Sequence, residues 1–404
     1  MKKVKTCRSC GSSELLSFLS LGRLPLTTLI APEHLANPEP RGSLEVAFCK
    51  RCSLVQTTSE PAQVAQSSFG PPTVGLLERL LHERHLGPHH LVLSVGGTSE
   101  LLRMLMQAGV RVLHLEPQGE TAKNSLVRGI PTRTEEFSRP FAQQLAADGL
   151  KGDVILANQA LARHSDLNGT IEGLGVALKD TGVIVLELPY LYHTLEGRHF
   201  NDFGHQHLHY FSVTALHDLM RRHSLWLQRI EPITEGYMRY FVGKARSADS
   251  SVGWYLEEEG RLGLNQPNLY LEFGCRVAAV REALLAMLTE LRAKGRRIAA
   301  LGATPQGNTL LNYVGLGREV IEFVIDPEPS RQGKYLSGMQ VPTFSPHKLL
   351  EEQPDYLLLL GEDPESASIQ YEEYLRRGGK LITPLPHPDI LTPPALVRQH
   401  KIAV

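Results

Sequence analysis

Two short cysteine pairs, Cys7-Arg8-Ser9-Cys10 and Cys49-Lys50-Arg51-Cys52, restrict what this chain can fold into more than any other feature of its sequence. Each C-x-x-C unit can curl into a tight knuckle, and Gly11 after Cys10 suits the turn that a knuckle needs. Together Cys7, Cys10, Cys49 and Cys52 can close a tetrahedron of thiolates around one zinc ion. A compact ribbon would hold its pairs closer in sequence, so the segment between them is expected to form a small subdomain. The bland alternative is four scattered buried thiols. Nothing nearby offers an open coordination position, so the zinc is expected to be structural. The fifth cysteine, Cys275, lies far along the chain.

The charge balance removes several partners. With 42 Lys+Arg against 43 Asp+Glu and a formal net charge of −1, the chain has no cationic excess with which to hold nucleic acid. No apolar run approaches the ~20 residues that span a bilayer, so no membrane partner is expected. Met1-Lys2-Lys3-Val4-Lys5 runs into Cys7 without an apolar signal core, and the expected location is the cytoplasm, where disulfides are disfavoured. The 404 residues leave room for roughly two to four domains, each able to bury a core.

From about residue 87 the pattern changes to strand-turn-helix units. Leu91-Val92-Leu93-Ser94-Val95 is a short apolar run that ends in Gly96-Gly97-Thr98-Ser99. A helix through Leu101, Leu102, Leu105 and Met106 follows, then a second strand, Val110–Leu115, closed by Glu116. An apolar strand, a glycine turn, a helix and an acid ending the next strand form a doubly wound α/β signature. In such folds a ligand approaches the backbone at the turn and the acid receives ribose hydroxyls, so Gly96, Gly97 and Glu116 are candidate cofactor-binding residues. Further strands are expected at Asp153–Leu156 and Val183–Leu188. The loop departs from a dinucleotide fingerprint, because its glycines are adjacent and Glu100 stands where a third glycine usually sits. Glu100 is equally good chemistry for a first helical turn.

The densest polar constellation runs from His199 to Phe211 and contains His205, Gln206, His207 and His209. Extended, the three histidines would project from one side; in a helix His205 and His209 would share a face. A second metal site, an acid/base site and a polar turn of satisfied histidines are the competing readings. Ser212 reads as the N-cap of the helix that follows.

A second α/β unit closes the chain. Helical periodicity through Val280, Leu284, Leu288 and Leu291 marks a connecting helix over Val277–Lys294. Arg297–Leu301 then leads into a loop, Gly302 to Thr309, and a helix; further strands are expected at Val320–Ile325, Tyr356–Leu360 and Lys380–Pro384. Asp326 ends one of these at a carboxyl edge, where open parallel sheets place ligands.

The order of these pieces resembles the zinc-containing sugar-nucleotide C-methyltransferases over nearly the whole chain. The stretches that carry the resemblance are Cys7–Gly11, Glu187-Leu188-Pro189-Tyr190-Leu191, His207-Leu208-His209-Tyr210-Phe211-Ser212 and Gly307-Asn308-Thr309-Leu310-Leu311-Asn312-Tyr313. The resemblance implies a zinc-binding lobe (1–75), a Rossmann-like class I methyltransferase domain (76–245), and a linker helix with a C-terminal Rossmann-like α/β domain (246–404). Segment 246–272, rich in glycine, is expected to be mobile. The implied chemistry is removal of the proton beside a C4 ketone and transfer of a methyl group from S-adenosylmethionine to the resulting carbanion. His207 and His205 match the family's reactive histidine segment, with Gln206 between them. Asn158 joins the cofactor-binding candidates, and Tyr190, Tyr210, Arg239, Asn308 and Asp326 are the candidate substrate contacts.

Departures concentrate where that chemistry lies. Gly204 stands for the family's Tyr and Gln206 for its Glu, and an amide cannot serve as a general base. Gln159 and Arg163 replace an Asn and a His, Gln306 replaces a Lys, and Ala65-Gln66-Ser67-Ser68 carries no aromatic where the family has a functional Tyr. Three readings follow: a methyltransferase with a rebuilt site, an epimerase or isomerase acting on a ketosugar, and a non-catalytic scaffold partner of a biosynthetic enzyme. The expected small-molecule partner is a sugar nucleotide or, for the methyltransferase, a related natural-product intermediate; for the scaffold the partner is another biosynthetic enzyme.

Overall fold

The computed structural model describes residues 4–59, 75–97, 99–117, 119–157, 160–234 and 236–391. Three sheets organise them. In the first, antiparallel sheet, Leu15–Pro25, Arg41–Cys49 and Val55–Thr57 pair in sequence, and His209–Tyr210 from the middle of the chain supplies the fourth strand. The lobe therefore does not end with its own segment: it is completed by the histidine loop.

The second sheet has seven strands in the order Trp226–Thr234, Tyr237–Gly243, Leu178–Pro189, Gly152–Leu156, Leu91–Val95, Arg111–Leu115 and Thr132–Arg133. Tyr237–Gly243 runs antiparallel to both neighbours, while Leu178–Pro189 and the strands beyond it are parallel. This is the Rossmann-like methyltransferase arrangement, with the last strand slotted between its two predecessors. The third sheet follows the 3-2-1-4-5-6 order of dinucleotide folds: Thr343–Phe344, Val324–Ile325, Ile298–Leu301, Tyr356–Leu359, Lys380–Thr383 and Asp389–Leu391.

Helix Pro267–Ala293 joins the last two sheets and buries Tyr270, Phe273, Val277, Val280, Leu284, Leu288 and Leu291 at three- and four-residue steps. It lies so close to the lobe's first strand that a Cβ on Gly274 would collide with the Phe18 carbonyl oxygen. Phe18 meets Tyr270, Phe273 and Phe203 at centroid separations of 5.2, 6.1 and 6.2 Å. Such ring pairs add ~0.5–1.5 kcal/mol each beyond the area they bury. A short antiparallel pair, Leu29–Ile30 with Tyr335–Leu336, ties the lobe to the C-terminal domain as well.

Two expectations need correction. Segment 246–272 is not an open linker: Ser250–Leu262 is helical, capped by Asp249, and Glu259 is fully buried with its carboxylate accepting the Val213 and Thr214 amides at 2.6 and 2.8 Å. A carboxylate on free amides at a helix N-terminus fixes both helices. The strand expected over Val320–Ile325 shrinks to Val324–Ile325, because the Val320 and Ile321 amides turn back onto the Gly317 carbonyl. No helix among the described residues is long and apolar enough to cross a membrane.

Candidate active site and zinc centre

The two knuckles close identically. The amide after each second cysteine donates to the first cysteine's carbonyl, Gly11 to Cys7 and Ser53 to Cys49, both at 2.9 Å. Gly11 and Ser53 are left-handed, at φ 72° and 59°. The four Sγ atoms lie within 4.8 Å of one another, with Cys7–Cys52 at 3.5 Å and Cys10–Cys49 at 3.6 Å. Zinc–sulfur bonds of ~2.3 Å span a tetrahedron with edges of ~3.8 Å, so the set fits zinc and leaves no open position. Cys49 beside it, together with burial, pushes the Cys7 thiol up to about 12, and Cys52 is pushed up too. A divalent cation relieves that crowding by holding all four as thiolates. The knuckle is docked on the central domain, where Asn168 Nδ2 donates to the Arg8 carbonyl at 2.9 Å and the Arg222 guanidinium reaches Ser9 Oγ.

The glycine turn stands at the carboxyl edge of the central sheet. Gly96 and Gly97 have φ of 69° and 98°, and a Cβ on Gly96 would come within 3.7 Å of Glu116 Oε2. Glu116 is buried. Burial pushes its pKa up and Arg163 pulls it back. A left-handed turn free of side chains beside a buried acid fits the ribose of a nucleoside cofactor, so Gly96, Gly97 and Glu116 are where S-adenosylmethionine would be held. Asn158, Gln159 and Thr98 lie outside the described residues, as do Ala65 to Ser68. Glu100 is an exposed partner of Arg103 at 2.6 Å, as its helical reading expects.

A narrow cleft of about 100 Å³ lies where the three domains meet. Its walls are Leu24–Thr28 of the lobe, Arg163, the loop from Asn201 to His207, Tyr237, and the Pro305–Thr309 helix start of the C-terminal domain. Ligand pockets begin at ~300 Å³, so the cleft as it stands is smaller than a nucleotide-sized molecule needs. The loop is held by Tyr210, whose hydroxyl accepts the Gly204 amide at 2.9 Å and reaches the His207 carbonyl at 3.3 Å.

A turn at His205-Gln206 breaks the alternation that an extended strand would give, and the histidines separate. His205 and His207 line the cleft. His209 is buried behind it, with Nδ1 on the Leu161 carbonyl at 2.9 Å. Burial, with Arg163 adding to it, holds the His207 imidazole down at about 4, so it is neutral at physiological pH and open to accept a proton. Burial also lowers His205. Only the four cysteines group as a metal site among the described residues.

Of the candidate substrate contacts, Asn308 lies in the cleft, its Nδ2 on the Thr27 carbonyl at 3.4 Å. Four others do different work. Tyr210 braces the loop. Tyr190 sits outside the cleft, its phenol raised by burial and by Glu259. Arg239 is 3% exposed and locked onto Glu187, since the two face each other across neighbouring strands. Asp326 is apart from the cleft and accepts the Ala303 amide at 2.7 Å, the Glu328 amide at 2.8 Å and Arg331 at 3.0 Å. Sequence reasoning missed Asp202 and Tyr237. The Asp202 carboxyl is pushed up to about 6 by burial and receives the Thr194 hydroxyl at 3.1 Å.

Family models match the two ends of the chain. Residues 7–64 match a family described as a zinc binding domain, and residues 232–386 match the C-methyltransferase C-terminal domain. The curated C-methyltransferase NovU of Streptomyces niveus is 28% identical over 97% of this chain and 98% of its own length. Among solved structures, the CcbJ methyltransferase of Streptomyces caelestis covers 45% of this chain and 99% of its own at 13% identity, with a TM-score of 0.34. Magnesium protoporphyrin IX methyltransferase of Synechocystis covers 42% and 77% at 13% identity, with a TM-score of 0.32.

Proposed function

The chain carries the zinc-binding and C-terminal domains of the C-methyltransferase family, and from that premise we propose that it methylates carbon 3 of a deoxy-ketosugar nucleotide, beside the C4 ketone. The observation that supports this reading is that Arg163 lines the cleft with His205, Gln206 and His207, while its charge also draws the Glu116 carboxyl at the glycine turn downward. On this reading donor turn and reactive loop are two sides of one site.

Each residue's part follows from its chemistry. S-Adenosylmethionine, when bound, supplies an electrophilic methyl group. Glu116 receives ribose hydroxyls, and the turn at Gly96-Gly97 admits the nucleoside against backbone. In the cleft a base takes the proton beside the ketone, and the developing enolate oxygen needs donors. The Gln206 amide and the Arg163 guanidinium are such donors. His207, neutral above about 4, is the base this reading assigns first, with His205 beside it.

Asp202 favours a second assignment, because a carboxylate near about 6 matches a base working at neutral pH better than an imidazole near about 4. The test is incubation with S-adenosylmethionine and a thymidine-diphospho-4-ketosugar, scored by mass spectrometry for one added methyl group. Absence of product together with solvent deuterium exchange at the substrate would support the epimerase reading; absence of both would support the scaffold. The acid limb of kcat/KM then separates the bases: a midpoint near 6 assigns Asp202 and one near 4 assigns His207.

A further inference from the structure

Beneath the glycine turn lies a histidine that the proposed reaction does not use. His114 is 0% exposed on the strand Arg111–Leu115, two residues before Glu116 and on the same side of the sheet. Its Nδ1 meets the Ser125 hydroxyl at 3.0 Å. Its Nε2 is buried without a hydrogen-bond partner and stands 3.7 Å from Glu116 Oε2. The Gly96 carbonyl faces the same ring and already receives the Ser94 hydroxyl at 2.7 Å. Ser94 is the register partner of His114 on the adjoining strand.

The neighbours decide the tautomer. Nε2 faces the Glu116 carboxylate at 3.7 Å, and a bare lone pair there would be repelled by it. Burial opposes a doubly protonated ring. The proton therefore sits on Nε2, and Ser125, whose hydroxyl can give or accept, donates to Nδ1. A buried N–H left unpaired costs ~1–3 kcal/mol, so this one is expected to find an acceptor in a working state. Shortening the Glu116 contact to the ~3.0 Å of an N–H···O bond takes a shift of about 0.7 Å.

We propose that His114 is a positioning residue of the methyl-donor site, its Nε2–H holding the Gly96 turn and the Glu116 carboxylate in the arrangement that receives the donor's ribose hydroxyls. The proposal rests on the reading that a nucleoside donor binds at Gly96 and Glu116. The charged and polar groups facing Glu116 are His114 from its own strand, Arg163 from the helix Ala160–Arg163, and Ser94 with the Gly96 carbonyl from the turn. The Arg133 side chain is turned towards Glu135 at 3.7 Å.

The experiment is calorimetric titration of the zinc-loaded full chain with S-adenosylhomocysteine between pH 5.5 and 8.5, for wild type, His114→Phe, His114→Gln and Ser125→Ala. Phenylalanine keeps the volume and removes the donor. It is expected to weaken binding roughly tenfold and to move the acid-side loss of binding upward by about half a pH unit, since Glu116 loses a stabilising donor. Glutamine restores an N–H and stays within about threefold of wild type, and Ser125→Ala, which frees the tautomer, falls between the two. Nitrogen NMR of the ligand-free protein should show His114 protonated on Nε2. Wild-type affinity and an unmoved pH midpoint in His114→Phe would overturn the proposal, as would an Nδ1-protonated ring. Failure of the wild type itself to bind the probe would overturn the donor-site reading and this inference with it.

Discussion

Replacing Arg239 by methionine should unfold the central sheet rather than weaken substrate binding. Its Nε and Nη2 both meet Glu187 Oε1, at 2.8 and 2.7 Å, with side-chain exposures of 4% and 0%. At an effective dielectric near 20, charges ~3 Å apart attract by about 5 kcal/mol, and most of that offsets the cost of taking both from water. The net value of the pair is therefore small, while removing one partner takes the close counter-charge from the other. Arg239→Met leaves the Glu187 carboxylate between Leu186 and Leu188 in an apolar sheet and should cost ~3–5 kcal/mol. Glu187→Gln should cost less, because Glu231 stands 3.7 Å from the guanidinium's other end. The double variant Glu187→Leu/Arg239→Met removes both charges and should recover most of the loss. Urea melts of the four proteins test the ordering, with wild type and double variant above Glu187→Gln and Arg239→Met lowest. An Arg239→Met protein as stable as wild type, with a raised KM for the sugar nucleotide, would refute the reasoning and return Arg239 to the substrate.

Gly274→Ala, which in a free helix gains about 1 kcal/mol, should here lower the melting temperature, because the added methyl collides with the Phe18 backbone and forces helix and lobe apart; a higher melting temperature would contradict the packing. Acid should destabilise the protein through its histidines, since His207 and His209 are held at about 4 and about 3 while the unfolded chain protonates near 6.5. Stability is then full above pH ~6.5 and drains as pH falls through both folded values, with His207 alone withdrawing on the order of 3 kcal/mol; urea melts at stepped pH check it, and a flat profile would count against the burial. Zinc removal by a strong chelator should abolish sugar-nucleotide binding while S-adenosylhomocysteine still binds, because the lobe supplies Leu24–Thr28 to the cleft whereas the glycine turn ends a strand of the central sheet; paired calorimetric titrations read the two affinities.

The parts legible in the sequence are those set by local spacing. Two C-x-x-C units define the zinc set because each knuckle is closed by its own backbone. The apolar runs at Leu91–Val95 and Tyr356–Leu359 announce parallel strands because both their faces are buried. What stayed hidden depends on pairing between distant segments. Arg239 looks like a free cation until Tyr237–Gly243 is known to lie antiparallel beside Leu178–Pro189, which sets it opposite Glu187. Tyr190 looks like a cleft residue until Glu259, from a segment that reads as linker, is seen to cap the helix beginning at Val213. Asp202 carries no local mark of its burial; it is one more polar residue in a polar run. The histidine segment misleads for a related reason: alternation puts three imidazoles on one side, and the turn at His205-Gln206, pinned by Tyr210, sends His209 behind the cleft.

The charge of Arg163 bears on which group takes the proton. A fixed cation beside His207 lowers the affinity of that imidazole for a proton and, by the same field, favours an anion forming next to it. A site built round an arginine is therefore better at holding an enolate oxygen than at making its histidine a stronger base. Asp202 is affected differently: burial raises it, and the Thr194 hydroxyl pulls it back only in part. The two shifts run in opposite senses and cross, the imidazole towards weak basicity and the carboxylate towards neutrality. On the second assignment the labour divides, with Arg163 and Gln206 on the oxyanion and Asp202 on the proton, while His207 donates or accepts a hydrogen bond as a neutral ring. On that account His207→Gln retains a measurable fraction of turnover and Asp202→Asn does not; the reverse order would return the proton to His207.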